Sequence, residues 1–393
     1  DNLQDGWNSA MWGHTYSYVF PQIYQSENAT RNQHPGFFGV TKILKVEVMH
    51  RVTDYYGPIV YTRFADYDAK YMPDTQEEVY KEFFCELDTA VNTLTDYVKT
   101  NPEAAEFSRF DILMNGEYTS WIKFANSLRM RLAMRIAVVD KERARAEFLK
   151  AFNNEYGVLE VENEPVAVST QGGYTNPLGE LNLVWNETFM SAPMESIMGG
   201  YDDPRRSVYF ATSQDEAFKN EYRGIRQGTC FSHNNYLGMS KLHIRQETDA
   251  VLMTAAEVWF LRAEAALRNW TGESAGTCYE KGVTSSLHQH GIMQAESYLN
   301  SDKLPADFVD TYDSENNIAA RCKVSPKWIE TADRETKLEK IITQKWLAMF
   351  PEGCEAWAEQ RRTGYPRLFP VRFNHSKDGC VDTETMICLL YTS

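Results

Sequence analysis

The stretch Leu252-Met253-Thr254-Ala255-Ala256-Glu257-Val258-Trp259-Phe260-Leu261-Arg262-Ala263-Glu264-Ala265-Ala266-Leu267-Arg268 decides the fold class. Leu252, Ala255, Ala256, Trp259, Ala263 and Ala266 recur at steps of three and four, so on a helix they share one stripe. The small side chains at 255, 263 and 266 would let a second helix approach closely. The pattern stops near Asn269-Trp270-Thr271-Gly272, and a second one follows through Ala275, Cys278, Tyr279, Val283 and Leu287 to Gly291.

Residues 250–291 therefore read as a helix–turn–helix unit of about tetratricopeptide length, roughly 34 residues. Working outward, the same period appears twice before it. One segment opens at Asp74-Thr75-Gln76-Glu77 after Pro73 and runs through Val79, Phe83, Leu87, Val91 and Leu94. The next runs from Glu117 through Tyr118, Trp121, Ala125, Leu128, Leu132 and Ile136. Together, residues 75–150 read as a second helix pair with a longer link. A further helix covers Leu338 to Phe350 and is stopped by Pro351. No strict repeat is visible, so the expectation is a mainly α fold of degenerate helix pairs rather than a regular solenoid.

Three stretches break the helical rhythm: 153–249, 296–332, and everything from Glu352 onward. The first carries Gly172-Gly173, Gly199-Gly200, Pro177, Pro193, Pro204, Gly224, Gly228 and Gly238. It is also aromatic, with Tyr156, Tyr174, Trp185, Phe189, Tyr201, Tyr209, Phe210, Phe218, Tyr222, Phe231 and Tyr236. Loops this long inside a compact domain carry function, and this one is too aromatic for disorder. Tyr and Trp offer rigid amphipathic faces suited to stacking on sugars or gripping peptide side chains. Rings mixed with amides make Tyr174, Asn176, Trp185, Asn186, Phe189 and Tyr222 the candidate ligand-binding residues.

Composition narrows the functional classes. Of 393 residues, 43% are hydrophobic and 24% charged, which places the chain among globular proteins. With 40 Lys plus Arg against 55 Asp plus Glu, the net charge of −15 disfavours nucleic acid. The densest basic run, Arg129 to Arg145, sits inside a helical pattern with acids nearby. No apolar run is long enough for a membrane helix. The sequence opens at Asp1 without an apolar signal core. The seven Cys are scattered without C-x-x-C spacing, arguing against a disulfide framework or a structural zinc site. His288 and His290 would point about 200° apart on a helix, the wrong geometry for one metal, and read as exposed histidines. No nucleophile elbow, P-loop, dinucleotide fingerprint or H-E-x-x-H occurs. Glu257 with Glu264, or Glu355 with Glu359, could be a glycosidase pair, but helix-surface or capping roles fit their spacing better.

Several blocks together resemble one family. Arg51-Val52-Thr53-Asp54-Tyr55-Tyr56-Gly57-Pro58-Ile59-Val60-Tyr61 is similar to the D-x-x-G-x-x-P-Y turn of SusD/RagB-type nutrient-binding proteins, with Val60 where the family commonly has Pro. The 252–268 stretch resembles that family's central tetratricopeptide helix. Lys345-Trp346-Leu347-Ala348-Met349-Phe350 with Glu355-Ala356-Trp357-Ala358-Glu359-Gln360-Arg361-Arg362-Thr363-Gly364-Tyr365-Pro366 resembles its most specific block, and Asp202-Asp203-Pro204-Arg205 its D-P-R turn. The likeness runs from about Asn8 to about Thr385. It implies one SusD-like domain over 1–393, with no catalytic activity and no redox cofactor; no residue is assigned as a metal ligand, and a bound metal ion is left open. It also implies a surface lipoprotein of the outer membrane, held by an N-terminal lipid anchor not present in this chain, that hands oligosaccharide or peptide to a SusC-like TonB-dependent transporter. The scaffold would face the transporter and the loops the ligand. The family continues past Val381-Asp382-Thr383, whereas this chain ends at Met386-Ile387-Cys388-Leu389-Leu390-Tyr391-Thr392-Ser393, so both ends are expected to be incomplete. The alternatives left open are a helical glycoside hydrolase and a tetratricopeptide-type interaction scaffold without a small ligand.

Overall fold

A computed structural model describes residues 5–66, 72–160, 165–229, 233–310, 312–374 and 382. Cys230, Phe231, Cys380, Cys388 and the Met386–Ser393 end named above lie outside these. The chain forms two compact units, Asp1–Leu159 and Glu160–Ser393.

The first unit begins with α1 (Asp5–Asn8), α2 (Ala10–His14), a π-helical turn (Thr15–Val19), α3 (Phe20–Thr30) and α4 (Pro35–Tyr56). It continues with α5 (Gln76–Thr100), α6 (Tyr118–Arg135) and α7 (Lys141–Phe152). α5 starts where its sequence says: Thr75 Oγ1 accepts the Glu78 amide while the Glu78 carboxylate accepts the Thr75 amide, a complete capping box. Val79, Phe83, Leu87 and Leu94 fill the interior. The expected second helix of this pair is in fact two. The chain leaves α6 at Ile136, and Asp140 starts α7 afresh by accepting the Arg143 amide. Residues 75–150 thus hold three helices.

α4 was not legible as a helix because its buried face is polar as well as apolar. Lys42 and Lys45 reach Glu27 and Glu86, with Lys42 Nζ 2.7 Å from Glu27 and 2.5 Å from Glu86. One turn on, His50 lies between Glu47 and Asp54. Burial alone would lower the His50 pKa, but hydrogen bonding to the two carboxylates outweighs it and raises the value. The basic run of α6 serves the same interior: Arg129, 2% exposed, binds Asp88 and Glu147.

The second unit carries β1 (Val166–Val168), α8 (Pro177–Leu183), α9 (Ala192–Tyr201), α10 (Arg206–Tyr209) and α11 (His233–Tyr236). After β2 (Ala250–Met253) come α12 (Ala255–Leu267), α13 (Ala275–Gln289), α14 (Glu296–Leu299), α15 (Arg334–Ala348) and α16 (Gly353–Thr363). β1 and β2 pair antiparallel. α12 and α13 form the expected pair, and Gly282 makes it tight: a methyl there would sit 2.8 Å from the Phe260 ring. α15 packs on both, around Phe260, Tyr279, Val283, Ile341 and Leu347. The D-P-R turn plugs this core. Arg205, fully buried, pairs with Asp203 and donates to Ser286, Tyr298 and Gln344.

Three sequence readings change here. Region 153–249 is not one long loop, since α8 to α11 lie in it; they are too short to show a period. The stretch after Glu352 opens with α16, whose buried face is ionic. His288 and His290 are half-buried rather than exposed, and burial pushes His290 down to about 4 beside the Tyr209 ring. Among the described residues, no helix is long and apolar enough to cross a membrane.

Candidate functional site

Residues 170–189 present rings on a backbone that is held by side-chain amides. The segment is laid along residues 241–249. Thr170 donates its hydroxyl to the Glu247 carbonyl and its amide to Asp249. Gly173 then turns the chain with φ +89°, and Tyr174 stands 59% exposed. Asn176 caps α8: its Oδ1 accepts the Leu178 amide, and its Nδ2 donates to the Thr248 carbonyl. Gly179 lies so close to the Arg245 backbone that a methyl would overlap it.

Asn182 continues the staple from inside α8. Its Nδ2 donates to the carbonyls of Leu242 and Ile244, and its Oδ1 accepts from Thr188. With the inner face of α8 spent this way, Leu183, Val184 and Trp185 emerge as a strip that is 56%, 65% and 48% exposed. Asn186 reverses the chain at φ +57°, a conformation Asn tolerates better than other side chains. Phe189 returns half-buried with the Lys241 ammonium 3.8 Å from its ring centre, a cation–π contact. Burial depresses the Lys241 pKa.

Five of the six candidates from the sequence thus sit on one frame. Tyr174 and Trp185 face solvent. Asn176 is buried, and both ends of its carboxamide are committed to backbone, so it positions rather than contacts. Tyr222 belongs elsewhere: it packs against the helical core under the Arg206 guanidinium, 4.7 Å from the ring centre. Leu183, Val184, Asn182 and Lys241 escaped the sequence reading. An Asn inside an otherwise apolar run, Leu181-Asn182-Leu183-Val184-Trp185, was the signal available.

The carboxylates of the hydrolase alternative do not line this surface. Glu257, Glu264, Glu355 and Glu359 are each 3% exposed or less. Arg362 bridges Glu264 and Glu359 at 2.6 and 2.8 Å, and Lys345 Nζ lies 3.7, 3.8 and 3.2 Å from Glu257, Glu355 and Glu359. Burial would raise the Glu264 carboxyl, but Arg362 and Arg268 hold it below the usual carboxylate range. The sequence placed Glu257 and Glu264 on the helix surface; they are buried ion-pair partners instead.

Residues 2–392 match the family model described as SusD-like, Susd and RagB outer membrane lipoprotein. The chain belongs to the SusD-like family. Its location is accordingly the outer membrane, as a SusD/RagB-type lipoprotein. Solved SusD homologues share its fold closely. A SusD homologue from Bacteroides vulgatus is 43% identical with TM-score 0.93, over 98% of this chain and 79% of that one. A chitin-binding SusD homologue from Flavobacterium johnsoniae is 43% identical with TM-score 0.94, over 98% and 80%. A SusD homologue from Bacteroides thetaiotaomicron is 33% identical with TM-score 0.89, over 98% and 79%. No curated protein matches the chain in sequence.

Proposed function

We propose that this SusD-like protein captures oligosaccharides by stacking them on the Tyr174 and Trp185 surface and passes them to a SusC-like TonB-dependent transporter, without chemical change. The observation that carries the reading is the exposed Leu183–Val184–Trp185 strip held on a frame of Asn176 and Asn182 hydrogen bonds. Rings carried on a backbone that is fixed before binding leave less to be ordered on meeting a sugar. The chitin-binding relative from Flavobacterium johnsoniae, 43% identical, makes β-linked N-acetylglucosamine chains the first cargo to try. Burial of the four glutamates in ion pairs favours capture over the hydrolase alternative. Stacking at an open surface gives micromolar to millimolar affinity, about 4–8 kcal/mol, which suits a protein that must release its cargo.

The nine Trp provide the test. Fluorescence titrated with N-acetylglucosamine, glucose and mannose oligomers and mixed peptides should show a saturable change with one glycan class, with no new reducing ends on prolonged incubation. Saturation by peptides alone would move the cargo from glycan to peptide. Silence across the panel in folded protein would favour the interaction scaffold.

A further inference from the structure

The first unit carries aromatic surface that the loop site does not use. From Gly6 to Ser26 the chain has 21 residues without Asp, Glu, Lys or Arg, although 24% of the whole chain is charged. The same run contains Trp7, Trp12, Tyr16, Tyr18, Phe20 and Tyr24, interleaved with Asn, Ser, Thr, His and Gln. Only part of this set is core. Phe20 is buried and stacks on Tyr61, while Trp7 is 66% and Tyr55, at the end of α4, 43% exposed.

Four rings form a chain in contact across α2, the π-helical turn and α4. Centroids are 4.8 Å apart from Tyr55 to Tyr56, 5.4 Å from Tyr56 to Trp12, and 4.6 Å from Trp12 to Tyr16. The inner rings are locked by their polar tips. Tyr56 Oη donates to the Asn8 carbonyl and accepts the Trp12 amide, and Tyr16 Oη donates to the Val60 carbonyl. The charges beside Tyr55 on α4 are paired: Asp54 accepts from Tyr80 and lies 3.3 Å from Arg135, and Arg51 binds Glu47 at 2.8 Å. The π-helical turn begins at Thr15, three residues after Trp12, and holds Tyr16; such turns are frequent at functional sites.

From this geometry we infer that the Tyr55–Trp12 ring chain is a second sugar-stacking face, one that takes a neutral oligosaccharide. Locked rings offer stacking area at low entropic cost, and on the 6–26 side they are flanked by amides and hydroxyls rather than charges, which matches a neutral polyol. A membrane-surface helix would instead carry Lys or Arg on its polar face and Leu or Phe on the other. The inference rests on the glycan-capture reading but not on the loop site itself.

The test uses the full chain with hexamers of N-acetylglucosamine, glucose and mannose. Tyr55→Ala and Trp12→Ala should each weaken binding by about threefold to tenfold, the effect of losing one ring contact, in both the wild-type and the Trp185→Ala backgrounds. Trp12→Phe keeps a ring and should bind nearly as wild type. Tyr55 is exposed, so its variant folds whatever happens at Trp12. Unchanged affinity in Tyr55→Ala and Trp12→Ala overturns the inference, as does complete loss of binding in Trp185→Ala alone. Binding that ignores Trp185→Ala but falls with Tyr55→Ala would break the loop reading and leave this face standing. Co-sedimentation with phosphatidylethanolamine–phosphatidylglycerol vesicles that Tyr55→Ala abolishes would reassign the rings to a membrane and overturn it as well.

Discussion

Two regions of the second unit use polar side chains in opposite ways. Between α12, α15 and α16, charges are taken out of water altogether, with Lys345 and Arg362 set among Glu257, Glu264, Glu355 and Glu359. Along residues 170–189, neutral carboxamides hold the backbone from one side and leave the rings outside. A buried ion pair fixes helices relative to one another, because either partner alone would be an uncompensated charge. An amide staple fixes a loop at smaller cost, since each bond contributes only about 1 kcal/mol. The first arrangement suits a scaffold, the second a surface that must be rigid yet exposed.

The comparison can be broken most sharply at Arg362. Arg362→Ala should destabilise the protein by about 3–5 kcal/mol in chemical denaturation, because Glu264 and Glu359 lose their shared cation. A loss below about 1 kcal/mol would mean the network is hydrated after all. Gly179→Ala should cost about 1–3 kcal/mol through overlap with the Arg245 backbone, and should weaken glycan binding along with stability. Asn176→Ala should cost about 1 kcal/mol, the worth of a helix cap, with a slight effect on affinity. Trp185→Ala should leave the melting temperature almost unchanged, within about 0.5 kcal/mol, while affinity falls about tenfold. A large drop in melting temperature with unchanged affinity would make Trp185 a core residue.

The smallest effect concerns pH. Burial raises the Glu195 carboxyl to about 7, and the Gly224 amide and Arg223 guanidinium that face it lower it only partly; Asp310 and Glu221 add to the rise. Its folded pKa lies above the unfolded value, so between the two the native state holds more protons. This contribution to stability therefore declines as pH rises from about 4.5 to about 7. Glu195→Gln keeps an acceptor for Gly224 and removes the titration. The variant should gain on wild type in melting temperature as pH is raised through this window; parallel curves would show that Arg223 keeps Glu195 ionised.

What could be read from residues alone followed from how each helix pays its way into the interior. α5, α12 and α13 bury mostly neutral side chains, with Glu86, Glu257 and Glu264 as the charged exceptions, so their apolar stripes still stand out. α4 buries Lys42, Glu47 and His50, and α16 buries Glu355 and Glu359, so a count of apolar positions passes over both. The Arg205 plug shows the same limit. Asp202-Asp203-Pro204-Arg205 is recognisable as a family turn, but its bonds to Ser286, Tyr298 and Gln344 span 81, 93 and 139 positions.

The sequence by itself determined the helical class, the 250–291 pair, the cap at Thr75 and membership of the SusD-like family. These depend on periodicity, local hydrogen bonding and blocks of contiguous residues, all of which are short-range. Tertiary structure alone decided which aromatics face solvent. Trp185 is exposed and Tyr222 packed because Asn182 reaches carbonyls 60 and 62 residues away and Arg206 covers the Tyr222 ring. Exposure is a property of what the rest of the chain covers, and no local spacing encodes it.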